Sequence, residues 1–362
     1  MKVFITGYPN LSARRVICEL MHQHPDAEIL VLSQEKHYQG AVDFLAPLPN
    51  PSRAQVVVGD VAAIDLGLSG KEIMALALEM THLFHLAEIS YHGIDRPEVK
   101  RVNVDGTQNL LAFARECKQL ERLLYFSTAF VSGDRVGVVM EDELEESQGF
   151  RDDVEETKFH AEVLVKRASQ HLPITIVRPS IVVGDSKTGE IDRLVGPYYA
   201  VVLHLLSPKE LRLPMFGSGN APLNMVPVDF VARAICALSQ APEALGKTFH
   251  LTDPNPLSAR RVFELVAKTT GKKPPLGKIP ARLTQFLMRA PGLEKLLRAP
   301  RQAIESFNHF AIYNCRNTVA LLGPKGIDFP SFDSYVEPLV AYVDKTLDER
   351  RRRKGPEDNS PG

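Results

Sequence analysis

The chain has 362 residues, which at roughly 150 residues per domain implies about two folding units. It is 44% hydrophobic and 24% charged, and 43 Lys plus Arg balance 44 Asp plus Glu to a net charge of −1; the basic excess of a dedicated nucleic-acid binder is missing. Cys18, Cys117, Cys236 and Cys315 lie far apart without metal-ligand spacing. They read as buried thiols in a reducing compartment, and no metal site is expected. Met1 to Gly7 is too short and too soon broken by glycine for a signal peptide. The longest apolar stretch, Tyr198 to Leu206, carries His204 and falls well short of the ~20 residues a membrane span needs. Cytoplasm is the expected location.

In chain order, Val3-Phe4-Ile5 is a buried strand, followed by a turn and by Leu11, Val16, Ile17, Leu20 and Met21 at helical spacing. Further strands are predicted at 28–32, 55–60, 83–87, 123–127 and 174–178. A helix carrying Val104, Leu111, Ala114 and Cys117 precedes the fifth strand, and one from about Glu155 to Gln170 precedes the sixth. Short β-branched runs alternating with helices specify an α/β fold, a doubly wound parallel sheet with helices on both faces. Its turns fall at the C-terminal strand ends, where ligands bind in open α/β sheets. Beyond residue 185 Pro and Gly become frequent, with one return to the pattern: a helix N-capped by Asp229 that carries Val231, Ala234, Ile235 and Leu238, then a strand at 248–251. Residues 257–348 read mostly as helices between Pro-rich turns. The expected division is 1–185 plus 226–252 for the sheet domain and 186–225 plus 253–348 for a smaller, mainly helical lobe. Residues 349–362 form a basic tail, with Arg350, Arg351, Arg352, Arg353 and Lys354 in a row. It is read as a disordered, solvated terminus in preference to a weak contact with an anionic membrane surface.

The order of strand-end motifs carries more. They are Thr6-Gly7, Gly59-Asp60 with Asp65-Leu66-Gly67-Leu68-Ser69, His85-Leu86-Ala87, Asn103-Val104-Asp105-Gly106-Thr107 and Ser127-Thr128-Ala129. Then come Thr157-Lys158, Arg178-Pro179-Ser180, Gly184-Asp185 and Val226-Pro227-Val228-Asp229. Together they resemble the extended short-chain dehydrogenase/reductase superfamily, with its Rossmann-type sheet. Within it, the Leu-Gly-Leu-Ser and Ser-Thr-Ala forms resemble the fatty acyl-CoA reductase and carrier-thioester reductase branch.

The resemblance implies NADP or NAD as cofactor, with NADP preferred, and an acyl thioester or other small molecule as ligand. It implies cofactor contacts from Thr6, Gly7, Asn10, Leu11, Asp60, Val61, Leu86, Ala87, Lys158 and Pro179, with Asp60 on the adenine. In the family, a Thr-Gly-x-x-Gly-x-x-Gly turn and the next helix N-terminus hold the pyrophosphate. Here Asn10 and Ala13 replace the second and third glycines, and Pro9 removes an N–H. Asn at position 10 tolerates a positive φ, so the turn is expected to persist. Where the reductases carry Arg after the second strand, this chain has Ser33, and Arg14, Arg15 or Lys36 would have to supply the charge for a 2′-phosphate; the plainer and preferred reading leaves the arginines facing solvent on the first helix. Asp60 and Asn103 also have plainer readings, as a turn residue and a helix-start cap.

Hydride transfer in the family needs a Tyr-x-x-x-Lys pair on one helix face and a hydroxyl for the substrate oxygen. Thr128 matches the hydroxyl and Lys158 the lysine, but four residues before Lys158 stands Val154. Losing a positioned acid costs about 10²–10⁴ in rate. Tyr91 or His92, in the loop after the fourth strand, is the candidate surrogate acid; the plainer reading makes both surface-loop residues. Glu88 replaces a small family residue and implies a remodelled pocket mouth.

Three readings follow. The first is a divergent nucleotide-binding protein that has lost ordinary hydride transfer and acts by binding or regulation. The second is an active NADP-dependent reductase of acyl thioesters or aldehydes with a relocated acid. The third is a non-redox protein-interaction module using the helical lobe, where the Leu-rich stretch from Ala281 to Phe310 would cover an acyl chain or a partner, or simply form core. Whether the chain is an enzyme, and whether it forms an oligomer, stay open at this point.

Overall fold

The computed structural model describes residues 1–354 apart from 92, 146, 209, 214, 217, 218, 277 and 280–308. The elements are β1 (Lys2–Thr6), α1 (Leu11–Gln23), β2 (Glu28–Ser33), α2 (Tyr38–Leu45), β3 (Ala54–Val58), α3 (Gly70–Glu79) and β4 (His82–His85). Next come α4 (Arg96–Lys100) and α5 (Gly106–Glu116), joined by a π turn at Arg101–Asp105, then β5 (Arg122–Phe126), β6 (Gly137–Val139), α6 (Asp153–Ala168), β7 (Ile174–Pro179) and β8 (Ile181–Val183). They are followed by α7 (Tyr198–Leu206), β9 (Met215–Phe216), β10 (Met225–Pro227), α8 (Val228–Gln240), β11 (Thr248–Leu251), α9 (Ala259–Thr269) and β12 (Lys278–Ile279). β13 (Ala311–Tyr313), α10 (Arg316–Leu322) and α11 (Phe332–Lys354) complete the described chain.

Seven strands form one sheet in the order β11-β7-β5-β4-β1-β2-β3, and every pairing in it is parallel. Parallel strands are buried on both faces, which is why they read as unbroken apolar runs. Alternate residues of β1 enter two cores. Val3 and Ile5 join Val16, Ile17 and Leu20 of α1 and Phe230, Val231 and Ile235 of α8. Phe4 joins Leu110, Leu111 and Phe113 of α5 with Ala161 and Val165 of α6. The strand order reverses between β1 and β4, the topological switch point at which open α/β sheets bind ligands.

The chain divides into two compact units, the first comprising Met1–Val182, Asn224–Asn255 and Ala311–Phe329 and the second Val183–Leu223, Pro256–Phe310 and Pro330–Gly362. Ala311–Phe329 thus lies in the unit of the sheet, not in the helical lobe where its sequence placed it. Leu322 packs in the core of that unit, and Glu141 is buried there, accepting hydrogen bonds from the backbone of His250 (3.0 Å) and Asn317 (2.6 Å) and from the Thr318 hydroxyl (3.0 Å). β13 pairs beside it with β6. In the second unit, β9 and β12 form a short parallel pair, and the buried Tyr198 hydroxyl accepts from the Gly184 amide at 2.7 Å.

Other expectations shift. β3, β4 and β5 end one or two residues early: Gly59 and Ser127 still donate their amides to Ser33 O and Val177 O of the neighbouring strands, and the chain then turns away at Gly59-Asp60, Leu86-Ala87 and Ser127. Asp229 is not the cap of α8: the helix opens at Val228 behind Pro227, and Asp229, inside the first turn, lies 3.8 Å from Arg233. Residues 349–354 of the expected disordered tail continue α11, while 355–362 lie outside the described residues. So does 281–308, most of the Leu-rich stretch. Among the described residues no helix is long and apolar enough to cross a membrane.

Three histidines are folded in as neutral rings. Burial holds His82 down to about 4, and His85 and His250 to about 3. An unfolded chain binds these protons at a pKa near 6.5, so the stability they contribute is complete above about pH 6.5 and is lost as pH falls toward their folded values. The slope is at most about 1.4 kcal/mol per pH unit for each histidine. The urea midpoint is expected to fall between pH 7.5 and pH 5, and equal midpoints would contradict the burial.

Candidate functional site

The switch point is closed by one chain of hydrogen bonds. Thr107 Oγ1 donates to Asn103 O at 2.7 Å and accepts from His85 Nε2 at 3.1 Å; the unprotonated His85 Nδ1 then accepts from Thr6 Oγ1 at 2.8 Å. Thr6 Oγ1 in turn accepts from the Ala87 amide at 3.3 Å. The sequence reading gave His85 only as a motif residue; in the fold it fastens the ends of β1 and β4 to α5.

Gly7 sits at φ +108, and a Cβ there would lie 2.5 Å from the Leu86 carbonyl carbon. Only glycine lets the turn after β1 press this closely against β4. Gly7→Ala is therefore expected to cost at least on the order of 2 kcal/mol, and a chemical-denaturation midpoint equal to wild type would contradict that. Asn10 does not use the positive φ its residue type permits: it is the N-cap of α1 at φ −55, and its side chain makes no capping bond. Its Nδ2 instead donates to Glu88 O at 3.4 Å. No acidic residue stands in the first turn of α1, so the positive end of that helix faces the turn without an anionic cap. Leu11 is buried beneath it.

On the far side, Asp60 follows β3. Its Oδ1 accepts from the Ala62 amide at 3.0 Å and its Oδ2 from Arg101 Nη1 at 3.3 Å. The carboxylate both shapes a turn and holds a guanidinium. The loop is closed by Asp65 and Leu66 at φ 52 and 57, with the Asp60 amide donating to Leu66 O at 2.8 Å. Asn109 Nδ2 bonds Val61 O and Ala63 O, both at 3.0 Å. Ser33 is buried and turns its hydroxyl to Gln34 O.

α6 carries Lys158. Asp152 caps it, its Oδ1 accepting from the amides of Val154 and Glu155 at 2.9 Å each. Positions 154, 158 and 162 then follow at i,i+4 spacing along one face. Val154 is in the first turn. Lys158, 3% exposed, donates through Nζ to Phe126 O at 2.6 Å and lies 2.8 Å from Glu88 Oε2. Burial opposes its charge, but Glu88, Tyr125 and Glu162 more than offset that and hold its pKa above the ordinary lysine value. One turn on, the fully buried Glu162 accepts from Ser127 Oγ and pairs with Arg178 Nη2 at 2.5 Å. Arg178 also reaches Glu143 O at 2.9 Å and His250 Nε2 at 3.2 Å.

Thr128 caps the short turn after β5, accepting from the Phe130 amide at 3.3 Å and donating to Pro179 O at 3.5 Å. Asn103 is not a helix-start cap. It lies within the π turn, and its side chain accepts from Ile89 N (2.8 Å) and donates to Ile89 O (3.0 Å) and Thr157 Oγ1 (3.1 Å). It thereby clamps the loop after β4. Tyr91 is half-buried in that loop; His92 lies outside the described residues. The residue of this loop that reaches Lys158 is Glu88, which sequence reasoning took only as a change at the pocket mouth. Glu162 was also missed, although its i,i+4 spacing from Lys158 was the available signal.

Residues 12–235 match the family model described as male sterility protein, an NAD-binding family. The chain is 27% identical over 296 residues to a linear gramicidin synthase of Brevibacillus parabrevis, covering 77% of this chain and 6% of that protein. It is 25% identical over 277 residues to a fatty acyl-CoA reductase of Drosophila melanogaster, covering 65% of this chain and 53% of that one. Among solved structures it is similar to the terminal R domain of the myxalamid PKS-NRPS biosynthetic pathway, with a TM-score of 0.79, 25% identity and coverage of 98% of this chain and 92% of that one. The chain belongs to the male sterility protein family of NAD-binding domains, on the fatty acyl-CoA and carrier-thioester reductase branch of the extended short-chain dehydrogenase/reductase superfamily.

Proposed function

We propose that this protein binds a nicotinamide dinucleotide but does not carry out the ordinary tyrosine–lysine hydride transfer of its relatives, acting through ligand binding or regulation. The observation that carries this reading is the state of Lys158. It stands one helical turn after Val154, the position where a phenol would be needed, and its ammonium is taken by Glu88 and by Phe126 O. Valine neither donates a proton nor holds an oxyanion.

The residues present fit the dinucleotide. The N-terminus of α1, free of an acidic first turn, and the close Gly7 turn suit a pyrophosphate, and Asp60 and Val61 would contact the adenine half. Leu86, Ala87 and Pro179 would contact the nicotinamide half. Such a cofactor supplies a hydride when bound. NADP is the preferred form, with Arg14, Arg15 or Lys36 as the candidate cation for a 2′-phosphate. The ligand class carried over from the relatives is an acyl thioester or aldehyde.

Calorimetry with NADPH and NADH, followed by nicotinamide absorbance with acyl-CoA, carrier-bound acyl and aldehyde substrates, tests the reading. Binding without turnover supports it; turnover abolished by Tyr91→Phe favours the second reading, an active reductase with a relocated acid. Tyr91 is the candidate there because it lies three residues beyond Glu88, in the loop that Glu88 ties to Lys158.

A further inference from the structure

Two departures from the family pattern, Asn10 and Glu88, stand 78 residues apart in sequence and meet in the fold. Asn10 belongs to the turn after β1 and bonds the main-chain carbonyl of Glu88, while the Glu88 carboxylate lies 2.8 Å from Lys158 Nζ. The Lys158 side chain is 3% exposed and that of Glu88 is 13% exposed, so Glu88 forms the outer cover of the lysine. The next residue, Ile89, has both its amide and its carbonyl held by Asn103, which also bonds Thr157 beside Lys158. Residues 88 and 89 are thus fastened at once to the phosphate turn, to the helix behind the site and to α6.

An ammonium has three donors. Phe126 O takes one and Glu88 another, and burial leaves little approach to the third. An oxygen from any incoming ligand reaches Lys158 only where Glu88 withdraws. We propose that Glu88 is an internal anion that gates Lys158, and that Asn10 couples the gate to the turn after β1. Ligand capture at the two ends of the cleft is then a single coupled event. The proposal rests on the reading of that turn as a dinucleotide site, and it deepens that reading by assigning its regulation. A ligand can open the gate only by as much as it favours the open form, so removing Glu88 amounts to removing a competitor.

The test uses the full chain with two independent readouts. The first needs no nucleotide: trace acylation of lysines by acetic anhydride, with Lys158 quantified by peptide mass against the exposed lysines. Glu88→Ala is expected to raise Lys158 labelling at least tenfold, and the isosteric Glu88→Gln to raise it less. Unchanged labelling in both variants, with circular dichroism as in wild type, overturns the gate. The second readout is NADPH and NADH affinity in wild type, Glu88→Ala, Asn10→Gly and the double variant. Affinity is expected to rise at least tenfold on removing Glu88. The double variant is expected to depart at least threefold from the product of the single effects. A product of single effects overturns the coupling through Asn10, and unchanged or weaker affinity with raised labelling overturns the gate as a competitor of the ligand. Raised labelling with no nucleotide bound by any variant overturns the dinucleotide reading and the coupling, while the cover on Lys158 stands.

Discussion

Replacing Val154 by Tyr and Glu88 by Ala in the same chain is expected to raise NADPH-dependent reduction of an acyl thioester by about 10²–10⁴ over wild type. Val154→Tyr alone is expected to recover far less. The phenol would stand one helical turn before Lys158, on the same face of α6, and that placement is already fixed by the Asp152 cap and the register of the helix. What the single variant lacks is a free ammonium, because Lys158 Nζ stays 2.8 Å from the Glu88 carboxylate. A nearby ammonium lowers a phenol pKa only if its charge is not already matched. Steady-state absorbance at the nicotinamide band separates the variants. Equal gains from the single and double variants would show that Glu88 does not restrain the lysine.

Truncating either side of the buried pair below the site is expected to destabilise the first unit strongly. Glu162 is 0% and Arg178 2% exposed through the side chain, and removing one partner leaves an uncompensated buried charge, worth about 3–5 kcal/mol. In a domain of this size that corresponds to a fall in Tm on the order of 10 °C. Arg178→Ala also strips a donor from Glu143 O and His250 Nε2, and Glu162→Ala leaves Ser127 Oγ without its acceptor. Replacing Glu162 by Leu and Arg178 by Met together is expected to cost less than the sum of the two truncations. Thermal melts of all three variants check this; additive losses would mean that the two charges do not act as a pair.

Much of the sheet was legible because its physics is local. Val3–Ile5, Glu28–Leu32 and Thr248–Leu251 are short apolar runs bounded by turn residues, and their positions in the fold are those the pattern indicates. The strand ends were less so, because the runs continue in sequence through Gly59, Leu86 and Ser127 while the chain turns away at these residues, Gly59 and Ser127 keeping only their amide bonds to the neighbouring strands. β13 and α10 could not be placed from their own residues. They are held to the sheet unit by long-range contacts: the pairing of β13 with β6, Leu322 in the sheet core, and Glu141, whose partners at 250, 317 and 318 lie more than a hundred residues away.

The site divides in the same way. Thr6, Gly7, Asp60, Thr128 and Lys158 were found by motif order, which records where strands end. Motif order carries no information on pairing across the cleft. Asn10 and Glu88 stood out as separate substitutions, and only the fold shows that one holds the backbone of the other. The plain reading of Asn103 as a helix-start cap did not include its grip on Ile89, because that contact depends on how the loop after β4 folds back over the π turn.

Whether the protein holds a nicotinamide dinucleotide without turning it over is tested most directly by the fluorescence of bound NADPH in the wild-type protein. The signal is followed first on titration with the nucleotide and then after adding a long-chain acyl-CoA in excess. Saturable binding is expected, with a signal that persists after the thioester is added. No binding, or a signal that decays with release of aldehyde or alcohol, would contradict it.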